Sequence, residues 1–198
     1  LPGRGLSNPV IAGGRVYLTA SSGVDQQRLH VLCFDLASGK QLWERQIRAT
    51  GSTRCHVKTC MAAPTPVTDG ERVCALFATW DLVCLDRDGD LLWYRALRRD
   101  YPTVSNNVGM ASSPVLWQNV LILQVENAGE SFAIGIDTKT GQNLWKIERR
   151  RGISWVTPLV IPQGKEAQVL FQSPEGITAC DPLTGRQLWV YETKGLST

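Results

Sequence analysis

The chain has 198 residues, 43% of them hydrophobic, and a net charge of +3, which suits one domain of moderate size. It has no run of 18 apolar residues and no charged-then-apolar leader, so the sequence predicts neither a membrane span nor a signal peptide. The Arg149–Arg151 run lacks interleaved aromatic residues, so we interpret it as a solvated loop and expect no nucleic-acid partner.

A phrase of eight or nine residues, an Asp followed by a Gly-containing turn and then a Trp, recurs four times. Its copies are Asp35–Gly39–Trp43, Asp86–Gly89–Trp93, Asp137–Gly141–Trp145 and Asp181–Gly185–Trp189. The Trp residues are 50, 52 and 44 residues apart, the length of one four-stranded propeller blade. The repeat predicts an all-β propeller domain with four blades of four antiparallel strands, at residues 7–47, 63–97, 112–149 and 156–193.

Each repeat contains four strand-like segments in the same order. The first strands begin beside Pro9, Pro66, Pro114 and Pro158. Proline lacks an N–H group, so it suits the inner edge strand of a blade. The second strands are predicted at residues 15–19, 72–77, 120–125 and 167–172, and the third at 29–34, 82–85, 131–136 and 176–180. The fourth strand of each repeat carries the Trp.

The repeated phrase has a structural explanation. An Asp side chain can accept hydrogen bonds from the turn amides, and Gly tolerates the positive φ that such turns need. The Trp on the outer strand offers a large apolar face to a neighbouring blade. Because a catalytic residue would not recur in every repeat, we interpret all twelve Asp, Gly and Trp residues as blade-docking residues and none as catalytic.

The six cysteines fall into two groups. Cys33, Cys74, Cys84 and Cys180 lie in predicted strands and resemble small core residues. Cys55 and Cys60 instead flank His56 in a long segment between blades. Three alternatives stay open for this pair: a disulfide, two packed thiols, or part of a zinc site, although a structural zinc needs four ligands.

The loops at one end of the blades hold the candidate ligand-binding residues. These are Arg54, His56, Asn106, Asn107, Glu126, Asn127 and Trp155. Loops are where a rigid scaffold usually presents binding residues. The amides could instead hold loop backbones, and Trp155 could pack in the core. The two His residues lie in a strand and in the Cys-containing loop, so the sequence suggests no Ser–His–Asp set.

The four phrases and the Pro-Val/Leu first strands resemble the PQQ-like, or quinoprotein-type, β-propeller repeat over nearly the whole chain. The segments at residues 29–35, 62–73 and 124–127 are similar to exported propellers of planctomycete-type bacteria. One branch of this family is a lipoprotein that helps to assemble outer-membrane β-barrels. The other comprises dehydrogenases that use PQQ and Ca²⁺.

The resemblance implies a non-catalytic, periplasmic or otherwise extracytoplasmic scaffold that binds a protein through its blade-top loops. The alternative that it implies is a PQQ- and Ca²⁺-dependent oxidoreductase. Both branches usually close with about eight blades. The segment at 195–198 is similar to Gly5-Leu-Ser-Asn8. We therefore expect half of an eight-bladed ring, completed by further chain or by a second copy.

Overall fold

Sixteen strands and one short helix make up the part of the chain, residues 1–104 and 110–193, that the computed structural model describes. The strands form four separate antiparallel sheets, and each sheet contains four strands that are consecutive in the sequence. The chain divides into two compact units, Leu1–Ala111 and Ser112–Thr198, with two sheets in each.

The strands follow the chain order within every sheet. The first unit contains β1 Val10–Ala12, β2 Arg15–Ser22, β3 Arg28–Asp35, β4 Gln41–Arg48, β5 Val67–Thr68, β6 Arg72–Leu76, β7 Asp81–Asp86 and β8 Leu91–Ala96. The second contains β9 Val115–Trp117, β10 Val120–Val125, β11 Phe132–Asp137, β12 Asn143–Glu148, β13 Leu159–Gln163, β14 Glu166–Ser173, β15 Gly176–Cys180 and β16 Gln187–Glu192. A helical turn, α1 Leu97–Asp100, follows β8.

The apolar core lies on the two central strands of each sheet. All six residues of β10 are buried, as are the first five of β11, whereas every residue of β16 is exposed. A continuous apolar run such as 120–125 is typical of a strand covered on both faces. The central strands therefore supply most of the hydrophobic stabilisation, and the outer strands provide the contacts between sheets.

The turn between the third and fourth strands has the same construction in all four sheets. Each turn Asp accepts hydrogen bonds from backbone N–H groups two to four residues further along: Ser38 to Asp35, Asp88 and Asp90 to Asp86, Lys139 and Thr140 to Asp137, and Leu183 and Thr184 to Asp181. The turn glycines have φ values of +68° to +86°. The left-handed backbone favours glycine there, so local chemistry explains the repeated phrase.

A small residue lies directly opposite each outer-strand Trp. The pairs are Cys33 with Trp43, Cys84 with Trp93, Gly135 with Trp145 and Ala179 with Trp189, and the strand register shifts immediately after each. A Cβ built on Gly135 would lie 2.2 Å from the indole of Trp145. The indole thus occupies the space above its partner, which explains why only small side chains, two of them cysteines, stand at this position.

In the first unit, the Trp of one sheet contacts the turn of the next. Trp43 donates its indole N–H to the carbonyl of Arg87 over 2.9 Å. Arg45 Nε donates to the carbonyl of Gly89 over 2.6 Å. A Cβ on Gly89 would lie 2.8 Å from the ring of Trp43. The indole therefore packs flat against a turn that only glycine leaves open.

The second unit repeats this contact. Trp145 donates its indole N–H to the carbonyl of Pro182, the residue after the turn Asp, over 3.0 Å. A Cβ on Gly185 would lie 2.8 Å from the Trp145 ring. The same indole meets Phe171 edge-on, with ring centroids 6.5 Å apart, in a buried cluster that also contains Cys180. The ring of Trp145 thus packs in a buried cluster, while its N–H group bonds to the turn of the fourth sheet.

Candidate functional site

The candidate residues that the structure describes share one end of their sheets. In an antiparallel sheet with this strand order, the turn between the second and third strands and the segment leaving the fourth strand meet at the same end. Arg54 and His56 follow β4, Glu126 and Asn127 follow β10, and Trp155 follows β12. Asn106 and Asn107 lie outside the described residues.

The segment after β4 is a loop whose polar side chains face solvent. Arg54 and His56 are exposed. The carbonyl of His56 accepts from the N–H of Thr59, and its Nδ1 accepts from the N–H of Lys58 over 3.2 Å. His56 therefore stabilises the tight turn in which it lies, which is a structural role.

Cys55 and Cys60 are both thiols here, in different surroundings. Cys55 is half-buried, and its Sγ donates to the carbonyl of Thr59 over 3.7 Å. Cys60 is fully buried, and burial raises the pKa of its thiol. The disulfide between them stays a prediction. Within residues 1–104 and 110–193, no three His, Cys, Asp or Glu side chains lie close enough to hold a metal ion.

A buried ion pair lies at the same end of the third sheet. Arg149 Nε donates to Oε1 of Glu126 over 2.5 Å, and both side chains are at least 92% buried. The guanidinium also stacks over the ring of Phe171, 5.3 Å from its centroid. A buried charge pair of this kind is held in one geometry, because separating it would leave an uncompensated charge.

The same turn holds the backbone of the segment that carries Trp155. The carbonyl of Asn127 accepts from the N–H of Gly152 over 3.1 Å, and that of Glu126 accepts from the N–H of Ser154 over 3.4 Å. Asn127 is itself fully buried, and its Nδ2 donates to the carbonyl of Glu130. Glu126 and Asn127 therefore lie beneath a loop that they position, rather than on its surface.

The anchored segment presents apolar side chains to solvent. Trp155 is 51% exposed, so its ring is not a core residue. Ile153 and Val156 on the same segment are also exposed. We call Ile153, Trp155 and Val156 the apolar loop patch.

A cavity of about 420 Å³ borders Arg149 of the buried ion pair. Its lining includes Arg149, Arg150, Glu175 and Cys180. Glu175 and Arg150 form an exposed ion pair of 3.5 Å. Burial raises the pKa of Cys180 to about 11, so its thiol stays protonated near neutral pH and is not a reactive nucleophile. The cavity is therefore lined by charged side chains of both signs, and its cysteine does not supply a reactive thiolate.

The sequence did not indicate two polar clusters of the first unit. Asp81 is fully buried and accepts hydrogen bonds from Thr50, Thr79 and Tyr94. This cluster ties the segment after β4 to the start of β7. The second cluster consists of Ser22, His30 and Glu44, which are in hydrogen-bond contact. Both sets join residues whose proximity depends on strand register.

These sheets and their repeated Trp–turn contacts define a protein of the β-propeller class. The family model PQQ_2, described as outer membrane protein assembly factor BamB, matches residues 1–157 and 108–197. The chain therefore belongs to this family, and the PQQ-like repeat and all-β propeller fold that the Asp–Gly–Trp phrases predict are confirmed. No curated protein matches the sequence. In the described part of the chain, no helix has the length and apolar character to cross a membrane.

Solved structures show the same fold at low sequence identity. BamB from Moraxella catarrhalis is 20% identical with a TM-score of 0.59, covering 98% of this chain and 52% of that one. Quinohemoprotein alcohol dehydrogenase from Comamonas testosteroni is 16% identical with a TM-score of 0.68, covering 96% and 35%. A europium-containing methanol dehydrogenase is 14% identical with a TM-score of 0.63, covering 93% and 41%. The chain thus spans about half or less of each.

The Ca²⁺ of the oxidoreductase alternative finds no cluster of acidic ligands among the described residues. Ca²⁺ prefers six to eight oxygen ligands, and no acidic cluster of the described part supplies them. The turn aspartates use their carboxylates on their own turns. We derive no reaction step through this cofactor. The oxidoreductase alternative stays a prediction, which titration of the chain with PQQ in the presence of Ca²⁺ would test.

Proposed function

We propose that this protein is an extracytoplasmic scaffold that binds a partner protein through the loops at one end of its blades, and that the apolar loop patch is the centre of that surface. The observation that carries the proposal is the half-exposed ring of Trp155 on a segment whose backbone is hydrogen-bonded to the Glu126–Asn127 turn.

The composition of the patch suits a protein partner. Exposed Trp residues contribute disproportionately to protein interfaces, because a large rigid ring buries much area at little entropic cost. Ile153 and Val156 would extend the apolar contact around it. The Glu126–Arg149 ion pair orders the base of the segment before binding. A preordered loop loses less conformational entropy on association, which raises affinity.

Family membership supports the cellular setting of the proposal. The family is described as an outer membrane protein assembly factor, so we propose that the partner is a protein of the cell envelope. The net charge of the chain is modest, and the first arginine of its basic run, Arg149, is buried against Glu126 rather than solvated, which favours an apolar rather than an electrostatic mode of binding.

A second contact surface follows from the fourth sheet. Trp189 is 41% exposed, and Leu159 and Tyr191 on the same face are exposed further. The corresponding face of the third sheet, around Trp145, is covered by the fourth sheet. We propose that another blade of this repeat, placing an Asp–Gly turn against Trp189, covers this face. Light scattering distinguishes a second copy from further chain.

Site-specific photo-crosslinking in the native host tests the scaffold proposal. A photoreactive amino acid replaces Trp155 in one variant and Leu144 in a matched control, since Leu144 is a similarly exposed apolar residue on an outer strand. We expect a discrete crosslinked envelope protein from position 155 and none from position 144. Equal products from both positions, or no product from 155, would contradict the proposal.

A further inference from the structure

Three side chains on one face of the first sheet form a hydrogen-bonded chain from a hydroxyl through an imidazole to a carboxylate. Ser22 Oγ lies 2.7 Å from Nε2 of His30, and Nδ1 of His30 lies 2.7 Å from Oε1 of Glu44. They come from β2, β3 and β4. His30 is buried, whereas Ser22 and Glu44 are half-buried, so the hydroxyl end of the chain is open to solvent.

The chemistry of the three groups fixes where the protons lie. A carboxylate only accepts hydrogen bonds, so Nδ1 of His30 carries the proton and donates it to Glu44. With Nδ1 as the donor, Nε2 can accept from the hydroxyl of Ser22. In this arrangement an imidazole can remove the hydroxyl proton while the carboxylate orients and stabilises the imidazolium.

Two arginines lie in the same cross-strand row as Ser22, on the same face of the sheet. The register places Ser22 opposite Arg28, and Arg28 opposite Arg48. Both arginines are exposed, and neither forms an ion pair with any residue in the described ranges. Like charges directly across a sheet repel each other. A bound anionic group would relieve that repulsion, in the cross-strand row that contains Ser22.

We propose that Ser22 is an acyl-accepting nucleophile, with His30 as its base and Glu44 as the positioning residue, acting on esters whose acyl group carries a negative charge. This activity goes beyond the scaffold role and uses a different sheet from the apolar loop patch. Arg28 and Arg48 select the charged acyl group.

The reaction balances with water as the second substrate. Ser22 Oγ attacks the ester carbonyl while Nε2 of His30 takes its proton. Collapse breaks the bond to the alcohol, which leaves with the proton from Nε2. His30 then takes a proton from a water molecule, which attacks the acyl-Ser22 ester. The acyl–Oγ bond breaks, the acid is released, and the proton on Nε2 returns to Ser22 Oγ.

The test uses the full chain with p-nitrophenyl succinate, p-nitrophenyl acetate and a fluorophosphonate probe. We expect the probe to label Ser22, as identified by peptide mapping of the unchanged chain, and urea-unfolded chain to stay unlabelled. Ser22→Ala should abolish labelling and hydrolysis, and His30→Gln should slow hydrolysis about 100-fold or more. Glu44→Gln should lower kcat with KM unchanged, and Glu44→Asp should restore part of the loss.

Substrate preference tests the two arginines. The succinate ester should react about tenfold or more faster than the acetate ester, because the two arginines attract its carboxylate. Arg28→Ala with Arg48→Ala should remove this preference, so that the two esters react at similar rates. A preference that survives in the double variant would overturn the assignment of the arginines to substrate binding.

Ser38→Ala is the matched control for Ser22→Ala. Its hydroxyl donates to the Asp35 carboxylate over 2.6 Å but contacts no imidazole, so labelling should match that of the unchanged chain. Circular dichroism establishes that each variant is folded. Labelling of a serine other than Ser22, absence of labelling in the unchanged chain, or undiminished labelling in folded His30→Gln would overturn the proposal.

Discussion

Trp43 lies flat against Gly89 of the next sheet, so close that a Cβ on this glycine would stand 2.8 Å from the indole. The same relationship recurs between Trp145 and Gly185. Gly89 and Gly185 thus have two roles, since each adopts a left-handed backbone and leaves room for a neighbouring ring. The repeated phrase therefore encodes the contact between sheets as well as the turn within one.

Comparison of Gly89→Ala with Gly39→Ala separates these two roles. Both glycines have positive φ, but a Cβ on Gly39 meets nothing within 4 Å. The left-handed backbone should cost each variant about 1–2 kcal/mol. Overlap with Trp43 should cost Gly89→Ala about 1–3 kcal/mol more. Urea unfolding measures both free energies of unfolding. Equal losses would contradict the claim that the Trp43 ring needs a turn residue without a Cβ at position 89.

The hydroxyl of Tyr94 supports the buried carboxylate of Asp81, and its removal should be costly. Tyr94→Phe leaves Asp81 with donors from Thr50 and Thr79 only. A lost hydrogen bond to a charged group costs about 1.5–3 kcal/mol of unfolding free energy. Tyr191→Phe, at an exposed site, is the control and should change stability by less than about 0.5 kcal/mol. Similar values for both variants would contradict this role.

The same tyrosine predicts a loss of stability in base. Burial, and then its hydrogen bond to Asp81, raise the pKa of Tyr94 to about 12. The raised pKa means that the folded state holds the phenolic proton more tightly than the unfolded state, whose value is about 10. Its stabilising contribution is therefore complete below pH 10 and is lost as the pH rises through 12. Burial also raises the pKa of Tyr17, so ultraviolet titration should show late-ionising phenolates, one of which is lost in Tyr94→Phe.

Acid should weaken the turns. The Ser38 hydroxyl and amide hold the pKa of Asp35 below its usual value. At Asp137, burial would raise the pKa, but hydrogen bonds from Thr140 and Lys139 outweigh it and lower the value. A depressed pKa contributes stability above the unfolded value of about 3.9, lost as the pH falls through the folded value. The stability difference between wild type and Asp137→Asn should thus shrink below pH 4. A stability difference that does not change with pH would contradict this role of the Asp137 carboxylate.

A cross-strand disulfide should form between Cys74 and Cys84 if the protein is exported. The two residues are directly opposite in register, and their Sγ atoms lie 2.6 Å apart. Contact with Cys84 and burial raise the pKa of Cys74, so oxidation should occur during folding rather than in the packed core. Non-reducing peptide mapping of the exported chain should find this link. Alkylation of both cysteines without reductant would contradict it.

The sequence predicted the sheets because their signals are local. Apolar runs such as 120–125 mark central strands, and an Asp followed by Gly marks each outer turn. The sequence also shows a small residue two positions before each turn Asp, namely Cys33, Cys84, Gly135 and Ala179. It does not show why a small residue is needed there. That reason is the space taken by an indole across the strand pair, which only the register reveals.

The polar clusters could not be predicted because they depend on neighbours that are distant in the chain. Ser22, His30 and Glu44 meet through the register of three strands, which the sequence leaves undetermined. Glu126 and Asn127 were named as ligand-facing residues, yet they hold the backbone of the 152–154 segment. That role depends on where the chain returns after β12. Trp155 carried no local pattern that distinguished an exposed ring from a core one.

Affinity for the crosslinked partner tests the scaffold account most directly. Isothermal titration of the purified partner against wild type, Trp155→Ala and Leu144→Ala gives the three Kd values. The account predicts a Kd raised about tenfold or more in Trp155→Ala, corresponding to about 1.4 kcal/mol or more for a central aromatic anchor, with Leu144→Ala unchanged. An unchanged Kd in folded Trp155→Ala would contradict the claim that the apolar loop patch is the binding surface.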